Sequence, residues 1–406
     1  MISNSSRITL PVCLCLTFYV FWQLAGSLYA ANREVQVDDA SGVATAVVVD
    51  DLALAHTTQL LPFDKQGRIA SGRLDRQIAQ LATNLAEALE AVGTNVTQIA
   101  RLNVYLSPKV EPTDAEKLLL KHLFRQVHPA VTYVVTPLPR ADALIGVDAI
   151  ASVAESADSQ VGLATDSPLA TWLETPLASV LPRGRVVYIS GMAENSDDLA
   201  AATAGTMKQL QGVLELLGIE TKQVVHVKSF LKPMAEVATA RKAIRQSFPA
   251  ESMPPLSFVE WTNGLPIEIE MIAFLPGRAE PNGTVQLRWQ PDEKRSPVYC
   301  RFAVVDSPTR VYVSGLRSRE ITNPEGQVRD IFAQLDGVLE TTGSDMRQLA
   351  KATYYVADDE VSKALNDIRP EIYDPERPPA ASKASIAGTG LAGRTITIDM
   401  IAVPGK

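Results

Sequence analysis

The chain writes one segment three times. Leu81–Gly93 reads LATNLAEALEAVG, Met207–Gly218 reads MKQLQGVLELLG and Phe332–Gly343 reads FAQLDGVLETTG. The closing glycines fall at 93, 218 and 343, so both intervals are 125 residues (218 − 93 and 343 − 218). Leu89, Leu214 and Leu339 keep that period, as do Glu90, Glu215 and Glu340. Solenoid units repeat at ~20–50 residues, so a period this long is that of a whole domain. A chain of 406 residues has room for about three domains at ~100–150 residues each. Whatever one copy folds into, the chain must fold into three times.

Within each copy the order of elements is the same. A β-rich run comes first: Ala46–Thr57, Arg185–Gly191 and Arg310–Gly315. The last two end in Ser-Gly, where the first copy has His56-Thr57. The repeated segment follows and reads as a helix. Leu81, Leu85, Ala88, Leu89 and Val92 recur at 3–4 spacing, and Gly93, Gly218 and Gly343 sit where a C′ glycine stops a helix. A strand is predicted over Ile99–Leu106, Val224–Leu231 and Leu349–Val356, then a second helix over Asp114–Gln126, Ala235–Phe248 and Asp359–Tyr373. Prolines 129, 254, 255, 378 and 379 follow those helices and cannot continue them. Two strands close each unit, the last over Leu144–Val153, Ile267–Leu275 and Thr395–Val403. The order ββαβαββ describes an α+β sheet with two helices on one face. Its other face also needs burial, and the three copies supply that partner to one another. The predicted units are 33–154, 167–276 and 295–406, joined by Ala-, Ser-, Pro- and charge-rich linkers at Glu155–Asp166 and Gly277–Lys294.

The N-terminus has a different character. Ile8–Ala25 is apolar and uncharged, preceded only by Arg7 and followed by Ser27-Leu28-Tyr29-Ala30. Met1–Ala30 reads as a secretory signal peptide, which places the protein outside the cytoplasm. The alternative is an uncleaved membrane anchor, since a span needs ~18 apolar residues. Cys13 and Cys15 leave with that segment, and Cys300 alone cannot form an internal disulfide. Removing Arg7 leaves 37 basic against 46 acidic residues, a net charge of −9 (37 − 46). That balance, without a basic run, argues against nucleic acid as a partner.

The closing segments carry a family signal. Copy 1 has His128-Pro129-Ala130-Val131, Leu138-Pro139 and Ile145-Gly146-Val147-Asp148-Ala149-Ile150-Ala151. Copy 2 has Pro254-Pro255-Leu256, Leu265-Pro266 and Ile267-Glu268-Ile269-Glu270-Met271-Ile272-Ala273. Copy 3 has Pro378-Pro379-Ala380-Ala381 and Ile396-Thr397-Ile398-Asp399-Met400-Ile401-Ala402. This resembles the RidA/YjgF family of reactive-intermediate imine deaminases, also called L-PSP endoribonuclease-like. The resemblance covers nearly all of the chain beyond the leader. It implies three chorismate-mutase-like domains, an intrachain pseudo-trimer, and clefts between domains for a small ligand such as an imino or amino acid derivative.

The resemblance also shows what has been lost. The family's arginine, which clamps a substrate carboxylate with its planar fork, is replaced by Val131, Leu256 and Ala381. The first acidic position of the closing strand is Gly146, Glu268 and Thr397, so copy 2 alone keeps the glutamate; the second is Asp148, Glu270 and Asp399. These readings point to a diverged binding protein. The rival is a deaminase working through Glu268, with Lys383 as a displaced cation; ribonuclease activity is disfavoured by charge. Each residue also has a plain reading. Glu268 would be an exposed strand carboxylate, and Asp148, Glu270 and Asp399 would hold a structural hydrogen bond. Lys383 would be solvated, and Arg140 and Arg394 would be loop charges. Tyr133 and Phe258 share one position in copies 1 and 2; with Val131 and Leu256 they would line those clefts as apolar binding walls, or simply pack in the core. His56, His122, His128 and His226 lack metal-ligand spacing, so no metal and no cofactor is expected. Cys300 is expected to be an incidental buried thiol.

Overall fold

A computed structural model describes residues 32–405 other than 39, 126, 155–158, 281–282 and 292. The predicted leader, and hence the choice between signal peptide and anchor, lies outside the described residues. Among those residues no helix is long and apolar enough to cross a membrane.

The same elements recur three times. The first set is β1 (Arg33–Asp38), β2 (Val43–Asp50), β3 (Ala53–Thr57), α1 (Leu74–Glu90), β4 (Ile99–Leu106), α2 (Pro112–His122), β5 (Ala130–Val135) and β6 (Ile145–Val153). The second is β7 (Gly162–Ala164), α3 (Pro168–Leu173), β8 (Ala178–Leu181), β9 (Arg185–Met192), α4 (Leu199–Leu217), β10 (Val224–Leu231), α5 (Val237–Arg245), β11 (Leu256–Glu260) and β12 (Ile267–Leu275). The third is β13 (Val285–Arg288), β14 (Phe302–Val305), β15 (Thr309–Leu316), α6 (Pro324–Thr341), β16 (Leu349–Val356), α7 (Asp359–Ile372), β17 (Ala380–Ser385) and β18 (Ile396–Ala402). The predicted central strands β4, β10 and β16 match residue for residue, because each is an apolar run bounded by a 3₁₀ turn and a polar loop. Gly93, Gly218 and Gly343 take φ of 76°, 66° and 73°, as a helix-stopping glycine should. The second helices are shorter than predicted: α2 ends at His122, and the stretch before Val237 is a separate 3₁₀ turn. Both predicted linkers carry strands, β7 and β13.

Sheet pairing adds what periodicity could not reveal. In each copy the first long strand and its successor are joined by a short connection, the usual recipe for a hairpin. They do not pair with each other. β8 pairs with β3 of the first copy, β14 with β9 of the second, and β2 with β15 of the third, all antiparallel. Each copy therefore lends a strand to the copy before it, and copy 1 lends to copy 3, so the exchange closes into a ring. Exchange of identical elements is a low-cost way to join repeats.

Three apolar clusters lie under the three helix pairs. A fourth draws on all copies at once, including Val47, Val186, Tyr188, Val225, Tyr312 and Ala350. It is the other face of the sheets, packed about a pseudo-threefold axis. After a bulge at the start of β4, β10 and β16, alternation aims the third, fifth and seventh residues of each strand at this axis and the fourth, sixth and eighth at the helices. One axial layer is Arg101, His226 and Lys351; the next is Asn103, Lys228 and Thr353; the next is Tyr105, Phe230 and Tyr355.

Candidate functional site: three inter-repeat clefts

The axial layers hold the buried charge. Asp399 of copy 3 accepts from Arg101 and Thr132 of copy 1. Asp148 of copy 1 accepts from its own Asn103 at 2.7 Å and Tyr105, and from Ser257 of copy 2 at 2.8 Å. Glu270 of copy 2 meets Lys351 of copy 3 at 2.6 Å, and Lys351 also donates to Ser382 at 3.1 Å. The second acidic position of every copy thus binds the following copy, which is the structural role expected of it. Burial, the largest single influence, would push Asp148 up, but Lys228, His226 and the hydrogen bonds from Tyr105 and Ser257 together hold the carboxyl below its usual range. Glu270 is held down the same way, with Lys351 as the main opposing charge. Lys228 lies 5.4, 6.0 and 5.4 Å from the ring centroids of Tyr105, Phe230 and Tyr355, and donates to the Tyr355 hydroxyl at 2.7 Å. One ammonium inside a cage of three equivalent aromatics is a favourable desolvated cation–π arrangement. It breaks threefold symmetry, since Asn103 and Thr353 stand at the other two positions.

The ladders also fix which residues are equivalent near the clefts. Ile150, Ile272 and Ile401 face His56, Tyr188 and Tyr312. Val147, Ile269 and Ile398 face Leu60, Met192 and Leu316. The residues matching Ser190-Gly191 and Ser314-Gly315 are therefore Thr58-Gln59, not His56-Thr57 as the sequence reading had it. Copy 1 has two extra residues before the turn relative to that reading, and only the ladder counts them.

Each cleft joins the arginine slot of one copy to this turn and the first acidic slot of the copy before it. In the cleft at Leu256, Thr58 Oγ1 accepts from the Leu256 amide at 3.2 Å and donates to its carbonyl at 2.7 Å. Gln59 Oε1 accepts from the Phe258 amide at 3.1 Å, so its side chain enters the cleft. Gly146 lets the strand pack closely on this turn: a β-carbon there would lie 3.0 Å from Leu61 Cδ2 and 3.1 Å from the Leu60 carbonyl. A cavity of about 130 Å³ is left, with Arg241 stacked 5.5 Å over Phe258 and Arg140 5.5 Å over Phe63. Arg140 is thus a cleft residue as well as a loop charge.

In the cleft at Ala381, Ser190 Oγ accepts from the Ala381 amide at 2.8 Å and Ser382 Oγ accepts from the Gly191 amide at 3.1 Å. Glu268 lies over Gly191, where a β-carbon would stand 2.0 Å from its Oε1. Glu268 is half-buried as a residue, but that oxygen is buried and has no partner. Burial, then the neighbouring Glu270 carboxylate, push Glu268 up to about 8 against the pull of Lys351, Ser382 and Lys383. Lys383 is half-buried and donates to Ser362 at 2.9 Å and Asn366 at 3.1 Å, so it is not the freely solvated lysine of the plain reading. Burial and Arg369 push its ammonium down, opposed by Glu268. The structure brings Glu268 and Lys383, from different copies, to one cleft.

The cleft at Val131 is open, with a cavity of about 380 Å³. Gly315 has φ of 65°, and a β-carbon there would stand 2.0 Å from the Val131 carbonyl, so this close approach requires glycine. Thr397 donates to the Leu316 carbonyl at 3.1 Å instead of projecting a carboxylate. The clasp formed by Thr58 and Ser190 elsewhere is unmade: Ser314 Oγ is buried without a partner. The Tyr133 hydroxyl is likewise unpartnered, and the residue is 5% exposed. Burial and the Glu116 carboxylate push this phenol up, while Arg317 pulls it down. Arg317, Asp38 and Glu116 complete the lining.

Sequence reasoning missed Arg317, Gln59 and the whole axial ring. The ring left a legible trace, since Arg101, His226 and Lys351 keep the 125-residue period inside otherwise apolar strands. Arg317 left none, because it joins the lining of the Val131 cleft only through packing of copy 3 on copy 1. Of the histidines, His122 pairs with Asp75 at 2.9 Å, His128 with the Gly42 carbonyl and His226 with Ser257. Among the described residues no cluster of His, Cys, Asp or Glu could hold a metal ion. Cys300 is fully buried and its thiol is pushed up to about 12 by burial. Arg394 is tied to the Ser318 carbonyl at 2.9 Å.

The family model for endoribonuclease L-PSP matches residues 172–275 and 296–404. Similar solved structures include a Rid-family protein of unknown function from Yersinia pestis, 21% identical, covering 30% of this chain and 98% of its own, TM-score 0.27. A YjgF/YER057c/UK114-family protein from Mycobacterium tuberculosis is 23% identical over 28% of this chain and 98% of its own, TM-score 0.22. A YjgF-family protein from Neisseria meningitidis is 20% identical over 31% and 98%, TM-score 0.23. No curated protein matches.

Proposed function

Because the chain belongs to the endoribonuclease L-PSP family, we propose that it binds one small carboxylate-bearing amine, of amino or imino acid type, in the cleft between its first and third copies. The observation that carries this is the contrast among the clefts. Gln59 enters one, Glu268 lies over the glycine of another, and the third keeps about 380 Å³ with two buried, unpartnered hydroxyls, Ser314 and Tyr133. Buried polar groups without partners are costly unless something satisfies them. Arg317, in the same lining, supplies a guanidinium where Val131 supplies none, while Asp38 and Glu116 suit a cationic nitrogen.

Titration calorimetry of the full chain with α-amino acids and 2-oxo acids tests this. One site per chain is expected. Arg317→Ala should weaken binding at least about tenfold, the loss of a charged hydrogen bond of ~1.5–3 kcal/mol, while Lys383→Ala leaves it unchanged. Three sites per chain, or indifference to Arg317→Ala, would overturn the reading.

One observation favours a second reading. With its carboxyl pushed up to about 8, Glu268 keeps its proton at neutral pH and can act as a general acid. Imine hydrolysis adds water across C=N, expels ammonia and leaves a 2-oxo acid. Ammonia release from a freshly generated 2-imino acid, lost in Glu268→Gln, would establish that reading. Release no faster than in buffer would remove it.

A further inference from the structure

The charges on the pseudo-threefold axis do not balance. Arg101, Lys228, Lys351 and Arg310 are each at most 8% exposed, and so are Asp148 and Asp399, with Glu270 at 9%. Three carboxylates face four cations. Asp399 takes Arg101, Glu270 takes Lys351, and Asp148 lies beside Lys228. Arg310, 2% exposed, has no carboxylate partner among the described residues. Its one hydrogen bond runs from Nη2 to the Gly184 carbonyl at 2.8 Å, and its Nε has no partner. A buried cation left uncompensated costs several kcal/mol.

Three more orphans meet it. His56, Tyr188 and Tyr312 occupy one equivalent position in the three copies, as their ladders show. The residues are 2%, 1% and 0% exposed. His56 Nε2 and both tyrosine hydroxyls are buried without partners. The Tyr188 hydroxyl lies near enough to Tyr312 and Arg310 for weak hydrogen-bond interactions with both, and Arg310 also acts through space on Tyr312 and His56. Burial and the neighbouring His226 hold His56 neutral, so it can present one N–H. The set offers an N–H, two O–H groups and a guanidinium; within it only the two tyrosine oxygens can accept, so donors outnumber acceptors and a positive charge is left over.

We propose that a small inorganic anion of the halide class sits on the pseudo-threefold axis, bound by Arg310, Tyr188, Tyr312 and His56. It neutralises the unmatched guanidinium and satisfies one donor from each copy, so it fastens the three copies where their sheets meet. The site lies among buried axial side chains and does not depend on the function assigned to the clefts.

The test is thermal melting of the full chain in sodium chloride or bromide against sodium gluconate at equal ionic strength, gluconate being too large for a buried site. Halide should raise the midpoint along a saturating curve. Tyr312→Phe should weaken the apparent halide constant about tenfold, and Arg310→Met should abolish the halide-specific part. Crystals grown in bromide should show one anomalous peak within hydrogen-bond reach of Arg310 and both tyrosines. That readout stands even if Arg310→Met does not fold. Equal midpoints in halide and gluconate, or a bromide-grown crystal without that peak, would show water or empty packing and overturn the proposal.

Discussion

Lys351→Met should destabilise the chain by about 3–5 kcal/mol, the usual cost of stranding one half of a buried ion pair. The partner left behind is Glu270, 9% exposed and 2.6 Å from the lysine in the native chain. Urea denaturation monitored by circular dichroism reads the loss directly. The double variant Lys351→Met with Glu270→Leu should recover most of it, because removing both charges removes the desolvation cost along with the attraction. The ring of such contacts therefore works mainly as a registry device. It specifies that copy 1 follows copy 3 and that copy 3 follows copy 2, which apolar sheet faces alone would specify poorly. A double variant no more stable than the single one would reject this account.

Glu268→Gln should stabilise the chain at alkaline pH. In the native chain its carboxyl is pushed from the ordinary 4.5 to about 8. Between those values the folded chain keeps a proton that the unfolded chain has released, so stability falls as pH rises from 4.5 to 8. The lost stability amounts to at most about 5 kcal/mol above pH 8, less to the extent that water reaches the half-buried residue. Glutamine removes this limb. A second limb should survive in the variant. His226 is held at about 4 by burial, so the folded chain refuses a proton that the unfolded chain binds below 6.5, and stability falls as pH drops from 6.5 to 4. Stability profiles of the two proteins that run parallel from pH 5 to 9 would mean that Glu268 titrates normally.

The single Lys228 shows what fusion of the copies permits. A trimer of identical chains would place three ammonium groups inside the aromatic cage of Tyr105, Phe230 and Tyr355, and their repulsion would prevent it from closing. One chain with three different copies can place a lysine once and fill the other two positions with Asn103 and Thr353. The clefts diverged in the same manner. Gln59, Glu268 and Thr397 give three different outcomes at sites that share one geometry.

Much of this was legible in the sequence, for a definite reason. Helix faces, stopping glycines and the central strands Ile99–Leu106, Val224–Leu231 and Leu349–Val356 are set by local periodicity and backbone sterics, which act within about ten residues. The positions of Val131, Leu256 and Ala381 at the start of the closing strand pair could be read as well, because nearby prolines mark the place. The strand exchange, the axial pairs and the position of Arg317 could not, since each depends on which copy packs against which. The sequence alone determined that one α+β unit is built three times. Only the tertiary structure decided that Arg317 and Val131 line one cavity, that Glu268 and Lys383 act on each other's charge, and that Arg310 is buried with no carboxylate partner among the described residues. Side chains more than 100 residues apart become neighbours only once three twisted sheets close about a common axis, and a repeat period carries no record of that closure.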